Sequence, residues 1–313
     1  MKEYDNATAT RSETPFAAAE QSLAPPRAAG LLWGGVGVLA FSFSLPATRL
    51  AVADLDGTVV GLGRAIVAGA LAAGLLRATR QPLPPRRLWR PLATVALGVV
   101  LGFPLFSSLA LTQVPAAHGA VIVGLLPIAT AIMAVLLGGE RPSLAFWAAS
   151  LVGLATVLVF AIVQGAGRPQ LADGLILIAV VLGALGYAEG GRIARELGGW
   201  QVICWALVLA APLLVPVVAL RIFQTGLSAG PSAWLGFAYV SVVSMFLGFF
   251  AWYHGLALGG VARVGQVQLA QPILTLLWSA LLLGEQVSWT TIAAAGAVLA
   301  SVALTLRTRV HVR

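Results

Sequence analysis

Charge is what this chain has least of. Only 10% of its 313 residues are Asp, Glu, Lys or Arg, while 59% are hydrophobic. Ordinary soluble domains carry roughly a quarter charged residues, so this surface is not made to face water. Lys2 is the single lysine, and no Gly-x-x-x-x-Gly-Lys-[Ser/Thr] phosphate loop occurs, which argues against ATP hydrolysis within this polypeptide. The single Cys204 rules out an intrachain disulfide framework and a Cys-rich metal site. Histidine stands only at 118, 254 and 311, with no His-Glu-x-x-His, so neither a metal nor another cofactor is expected. Glu189 is the only acid expected deep inside an apolar run, which speaks against an enzyme that works with paired carboxylates. The net charge of +8 would suit nucleic acid. The basic residues fall between apolar segments, however, where they act as a topology signal, and no nucleic-acid partner is expected.

Long apolar runs are what remains. Ten of them, at 30–50, 57–76, 91–111, 115–137, 145–164, 173–193, 200–220, 233–254, 264–283 and 288–306, match the ~20 residues that a membrane helix needs. They are continuous rather than alternating, which excludes a β-barrel. The expected class is an all-α integral membrane protein with ten transmembrane helices. Residues 1–29 are a polar tail without the apolar core of a cleavable signal, and 308–313 form a second tail. With the N-terminus inside, one side of the membrane collects Lys2, Arg11, Arg27, the cluster from Arg77 to Arg90, Arg141, Arg192, Arg195, Arg263 and the C-terminal arginines. The other side holds only Arg49, Arg168 and Arg221. The positive-inside rule therefore places both termini in the cytoplasm. Trp33, Trp89, Trp200, Trp234 and Trp289 sit near run ends, as an interfacial belt requires, while Trp205, Trp252 and Trp278 lie deeper. Gly98…Gly102 and Ala65…Gly69 have the small-residue spacing that lets helix backbones approach closely.

One phrase occurs twice. Pro127-Ile-Ala-Thr-Ala-Ile-Met-Ala-Val-Leu-Leu-Gly-Gly-Glu140 returns as Pro272-Ile-Leu-Thr-Leu-Leu-Trp-Ser-Ala-Leu-Leu-Leu-Gly-Glu285, an offset of 145. A weaker echo aligns Pro46-Ala-Thr-Arg49-Leu-Ala with Glu189-Gly-Gly-Arg192-Ile-Ala, an offset of 143. Five runs separate the copies, and five is odd, so the second copy crosses in the opposite direction. That predicts two inverted five-helix repeats, 30–165 and 172–307, an architecture that secondary transporters use around a midplane site. The two Pro…Gly-Glu phrases, each closing the fourth run of its half, resemble the EamA-type halves of the drug/metabolite transporter superfamily. The resemblance covers residues 30–307. It implies an inner-membrane carrier, often an exporter of amino acids or related metabolites, working by alternating access on a small-molecule substrate among membrane lipids.

Within that frame several residues are candidates. Pro127 and Pro272 each remove a helix hydrogen bond, giving either a hinge or a fixed packing kink. Gln268, Gln271 and Thr275 share one helical face; their counterparts are Val123, Leu126 and Thr130, so the amides break the repeat. They are read either as substrate contacts or as interhelical glue, with Gln266 pointing elsewhere. Glu189 is a possible proton carrier for coupling, or one half of an i,i+3 pair with Arg192. Arg64, about 10 Å along its run at 1.5 Å per residue, either binds a carboxylate or snorkels outward. Tyr187 and Trp252 complete the substrate-contact candidates. Glu140 and Glu285 read as end-of-run stops with room for a cation partner or a gating role, and His118 and His254 as interfacial groups. The rival readings are export of hydrophobic or cationic drugs, and a membrane scaffold or sensor that moves nothing. Residue types alone do not set the oligomeric state.

Overall fold

The computed structural model describes residues 27–138, 143–164 and 170–307, and every regular element within them is helical. Seven stretches are long and apolar enough to cross a membrane: Ala29–Ala51, Gly57–Ala78, Arg86–Leu111, Ala116–Leu137, Leu171–Leu197, Gly199–Thr225 and Pro231–Gly259. Three shorter apolar helical runs, Trp147–Phe160, Val267–Leu283 and Trp289–Ser301, occupy the remaining expected positions. In chain order these are segments 1 to 10. Large apolar side chains such as Leu32, Leu144, Phe223 and Leu235 stand exposed on the outside. So much apolar surface suits lipid rather than water.

The segments pack in matched pairs. Segment 8 lies on segment 1 and segment 6 on segment 3; segment 6 also packs on 4, and segment 9 on 1. Segments 2 and 7 pack on each other, as do 5 and 10, and 4 and 9. Exchanging 1 with 6, 2 with 7, and so on, maps this pattern onto itself. Two of the closest approaches are glycine to backbone, as the small-residue spacing predicts. A Cβ at Gly98 would lie 2.5 Å from the Leu182 carbonyl oxygen, and one at Gly255 would lie 2.6 Å from the Gly34 nitrogen.

Several segments are interrupted near their middles, and proline explains three of the breaks. Proline has no N–H, so the carbonyl four residues earlier loses its helical partner. Pro46 frees Ser42 in this way, and segment 1 breaks at Phe43 between Arg27–Ser42 and Ser44–Ala51. Pro127 frees Val123, where Ala116–Val123 gives way to Leu126–Gly138. Pro272 frees Gln268, inside a 3-10 stretch, Gly265–Leu269, that precedes Ala270–Leu283. Segments 3 and 8 carry π-helical turns at Ala96–Gly102 and Tyr239–Gly248, a distortion often found at functional sites.

At one end of the bundle, acids tie the two halves together. Glu285 follows Gly284, whose φ of 65° ends the helix in the left-handed conformation. Its carboxylate accepts from the backbone N–H groups of Ala116 at 2.9 Å and Ala117 at 2.8 Å, so it caps the start of segment 4. The partner anticipated for Glu285 as a cation is thus a helix N-terminus, where an anion is favoured. Asp56 caps segment 2 through Thr58 and Val59 and meets Arg221 at 2.6 Å. Burial pushes the Asp56 carboxyl up, but the Arg221 hydrogen bond, the Val59 and Thr58 amides and the Arg221 charge together outweigh it. The group is held below its ordinary value. Asp54 accepts from Gly230 N–H at 2.8 Å. The opposite end is rich in arginine, with Arg87 paired to Glu196. Glu140 lies outside the described residues.

Candidate binding cavity

The interruptions of segments 1, 3 and 8 border one small central cavity of about 20 Å³; that of segment 4 does not reach it. Phe41, Ser44 and Leu45 enter from the break in segment 1 and Arg64 from segment 2. Val99 comes from the distorted part of segment 3, and Phe103 and Pro104 from the start of the helix that follows it. The other half supplies Tyr187 from segment 6, Ser244, Met245 and Phe249 from segment 8, and Gln271 from segment 9. Irregular backbone at membrane depth is tolerated where it lines a cavity, which accounts for the clustering.

The polar groups here are unusually bare. Arg64 is only 2% exposed. Its hydrogen bonds go to Gly61 O at 3.4 Å, Thr48 Oγ1 at 3.5 Å and Ser108 Oγ at 3.4 Å, all beyond the usual 2.7–3.2 Å or so. Gln271 Oε1 has no partner. Ser44 and Ser244, one from each half, share a hydrogen bond of 2.6 Å. Behind them stands an aromatic layer in which Trp252 packs 5.4 Å from Tyr187 and 6.2 Å from Phe41.

Of the residues expected to form the site, Arg64, Tyr187 and Gln271 are brought together. Trp252 is fully buried one layer behind the wall and does not line the cavity. Gln268 is buried with neither side-chain oxygen nor nitrogen bonded, but it too lies off the lining. Thr275 Oγ1 donates to the freed Ser42 carbonyl at 2.7 Å, and Trp278 Nε1 donates to Ser42 Oγ at 3.0 Å. The face shared by Gln268, Gln271 and Thr275 is therefore divided between cavity and packing. Pro127 and Pro272 sit at their breaks, outside the lining. Glu189 lies away from the cavity, paired with Arg192 at 2.6 Å and 3.0 Å.

His118, at the start of segment 4, makes the hydrogen bond expected of it: it is 8% exposed and meets Asp173 at 2.6 Å. The expectation that Glu189 is the only deep acid needs correction. Asp173, 3% exposed, is a second buried acid beside Glu189. Its position in a first helical turn disguised it as an ordinary cap, and it does also accept from the Gln170 N–H. His254 is exposed and meets Trp33 edge-on at 5.3 Å. Sequence reasoning missed Phe41, Ser44, Ser244, Met245 and Phe249. Pro46 was the available signal for the first two, because its missing N–H marks the break beside them.

Comparison with known proteins follows the same two-part division. The model of the EamA-like transporter family matches residues 28–162 and again 170–307. The uncharacterized transporter YdeK of Bacillus subtilis (strain 168) is 49% identical over 278 residues, which is 89% of this chain and 97% of that protein. A probable terminal-alkyne amino-acid exporter of Streptantibioticus cattleyicolor is 26% identical over 256 residues, covering 79% of this chain and 83% of its own. A protein of known crystal structure superposes with a TM-score of 0.62 at 21% identity, over 88% of this chain and 96% of the other. That last likeness is one of fold.

Proposed function

The chain belongs to the EamA-like transporter family, and on that premise we propose a secondary transporter that exports a small polar metabolite by alternating access. The substrate class is an amino acid or a related compound. The observation that carries this reading is the cavity, set beside the interruptions of segments 1, 3 and 8 and lined by polar groups from both halves. The twofold family match and the exchangeable packing support two inverted five-helix repeats, 30–165 and 172–307, with ten spans. Two such copies can trade conformations, which makes opposite-facing states similar in energy. Pro127 and Pro272 are then the hinges. The arginine-rich end faces the cytoplasm, with both termini, in a bacterial-type inner membrane. The Streptantibioticus relative, named for amino-acid export, fits the choice of substrate class.

Export of cationic drugs is the weaker reading. A cation needs a buried counter-charge, and the cavity lining contains no acid. Proton coupling through Glu189 is tested by Glu189→Gln, where the existing pair with Arg192 leads us to expect an unchanged pH dependence of flux. The reading as a whole is tested by counterflow of amino acids in liposomes containing the purified protein. Saturable exchange of at least one is expected. A protein that is folded yet exchanges none would sink the proposal.

A further inference from the structure

The following rests on the cavity being the carrier's binding site. We propose that this cavity is an anion site in which Arg64 binds a single carboxylate of the carried molecule, while Gln271 and the Ser44–Ser244 pair meet the neighbouring polar group. A guanidinium cannot shed its proton readily and is costly to bury without a partner. Arg64 is buried all the same, and its hydrogen bonds to neutral acceptors are long.

Every acid among the described residues is engaged elsewhere. Asp54 holds the Gly230 amide, Asp56 holds Arg221, and Asp173 holds His118. Glu189 holds Arg192, Glu196 holds Arg87, and Glu285 holds the Ala116 and Ala117 amides. None of the six lines the cavity. The missing counter-charge must therefore come from what enters. One planar guanidinium presents a fork that fits a carboxylate in bidentate fashion. Arg64 is also the only cation of the lining, which balances one negative charge rather than a phosphate dianion.

The rest of the wall sets the remainder of the molecule. Gln271 Oε1, an acceptor without a donor, suits an amino or hydroxyl group beside the carboxylate. Phe41, Phe103, Phe249 and Met245 are the apolar surface that a hydrophobic body would meet once the carrier opens, since about 20 Å³ holds little more than one water. The chemistry recognised is a monocarboxylate bearing a neighbouring hydrogen-bond donor and an apolar or aromatic tail.

The test measures thermal stability of the purified full-length protein against proteinogenic L-amino acids, their amides, phenylacetate, phenyl phosphate and tetraphenylphosphonium. A ligand that binds only the folded protein raises its apparent stability. Carboxylates should stabilise, while the amides and tetraphenylphosphonium should not. For the best carboxylate, Arg64→Gln should weaken binding on the order of 30-fold or more, since truncating one side of a buried charge pair is costly, and Arg64→Lys should weaken it less. The proposal is overturned if no carboxylate stabilises, if amides or the organic cation stabilise equally, if phenyl phosphate outperforms the acids, or if Arg64→Gln binds normally. Should Arg64→Gln fail to fold, the comparison of acid with amide on the unaltered protein decides alone. A carboxylate that binds but is never transported would sink the transport reading and leave the anion site standing.

Discussion

Segments 4 and 9 carry the same phrase and put it to different use. Thr275 in segment 9 gives its hydroxyl to the Ser42 carbonyl, whereas the hydroxyl of Thr130 in segment 4 finds no partner. The cause lies in the helices opposite. Pro46 frees the Ser42 carbonyl, but the residue aligned with it in the second half is Glu189. Glu189 keeps its N–H, so segment 6 runs unbroken from Leu171 to Leu197 and offers Thr130 no spare carbonyl. The amides follow the same rule: Gln268 and Gln271 are buried with unmet groups where segment 4 has Val123 and Leu126. A shared scaffold can therefore hold unlike chemistry, and of the two unlike amides Gln271 lines the cavity.

The largest effect should come from breaking what the two halves share. Gly98→Leu forces a side chain into the Leu182 carbonyl; overpacking of this kind costs about 1–3 kcal/mol and at times more. Loss of the monodisperse peak in size-exclusion chromatography is the expected result. Glu285→Ala removes the cap from segment 4 but leaves the cavity lining intact. It should lower stability by about 1 kcal/mol, as lost helix caps do, read as a reduced midpoint of thermal unfolding. A midpoint equal to that of the unaltered protein would show the cap to be idle.

Asp56→Asn is the smallest change, and its signature is a dependence on pH. Because the folded carboxyl is held below its ordinary value, its contribution is present above that value. It is lost as pH falls through the lowered one. The stability difference between the variant and the unaltered protein should thus be constant near neutrality and shrink in acid below about pH 4. A difference that grew in acid would contradict the assignment of Asp56 to Arg221.

Much of this was legible in the chain because it is written contiguously. Apolar runs, arginine placement and a phrase repeated 145 residues apart need no knowledge of contacts. The cavity was legible only at Arg64, Tyr187 and Gln271, where polarity stands out against an apolar background or a broken repeat. Phe41, Met245 and Phe249 look like any lipid-facing residue until the helices are packed. The His118–Asp173 pair joins residues 55 apart, and the Glu285 cap reaches back 169 and 168 residues. No local pattern encodes those distances. Pro46 could have been read further, since its lack of an N–H names Ser42 as the carbonyl in need of a donor.

The central claim is that the unlike residues, rather than the shared ones, carry the substrate. Gln271→Leu tests it most directly by giving segment 9 the residue found at the matching place in segment 4. Removing an amide oxygen that has no partner should leave thermal stability equal or slightly higher. Amino-acid counterflow in liposomes should fall more than tenfold, the consequence of losing more than about 1.4 kcal/mol of binding. Counterflow that matches the unaltered protein, in a variant that is equally stable, would contradict the account.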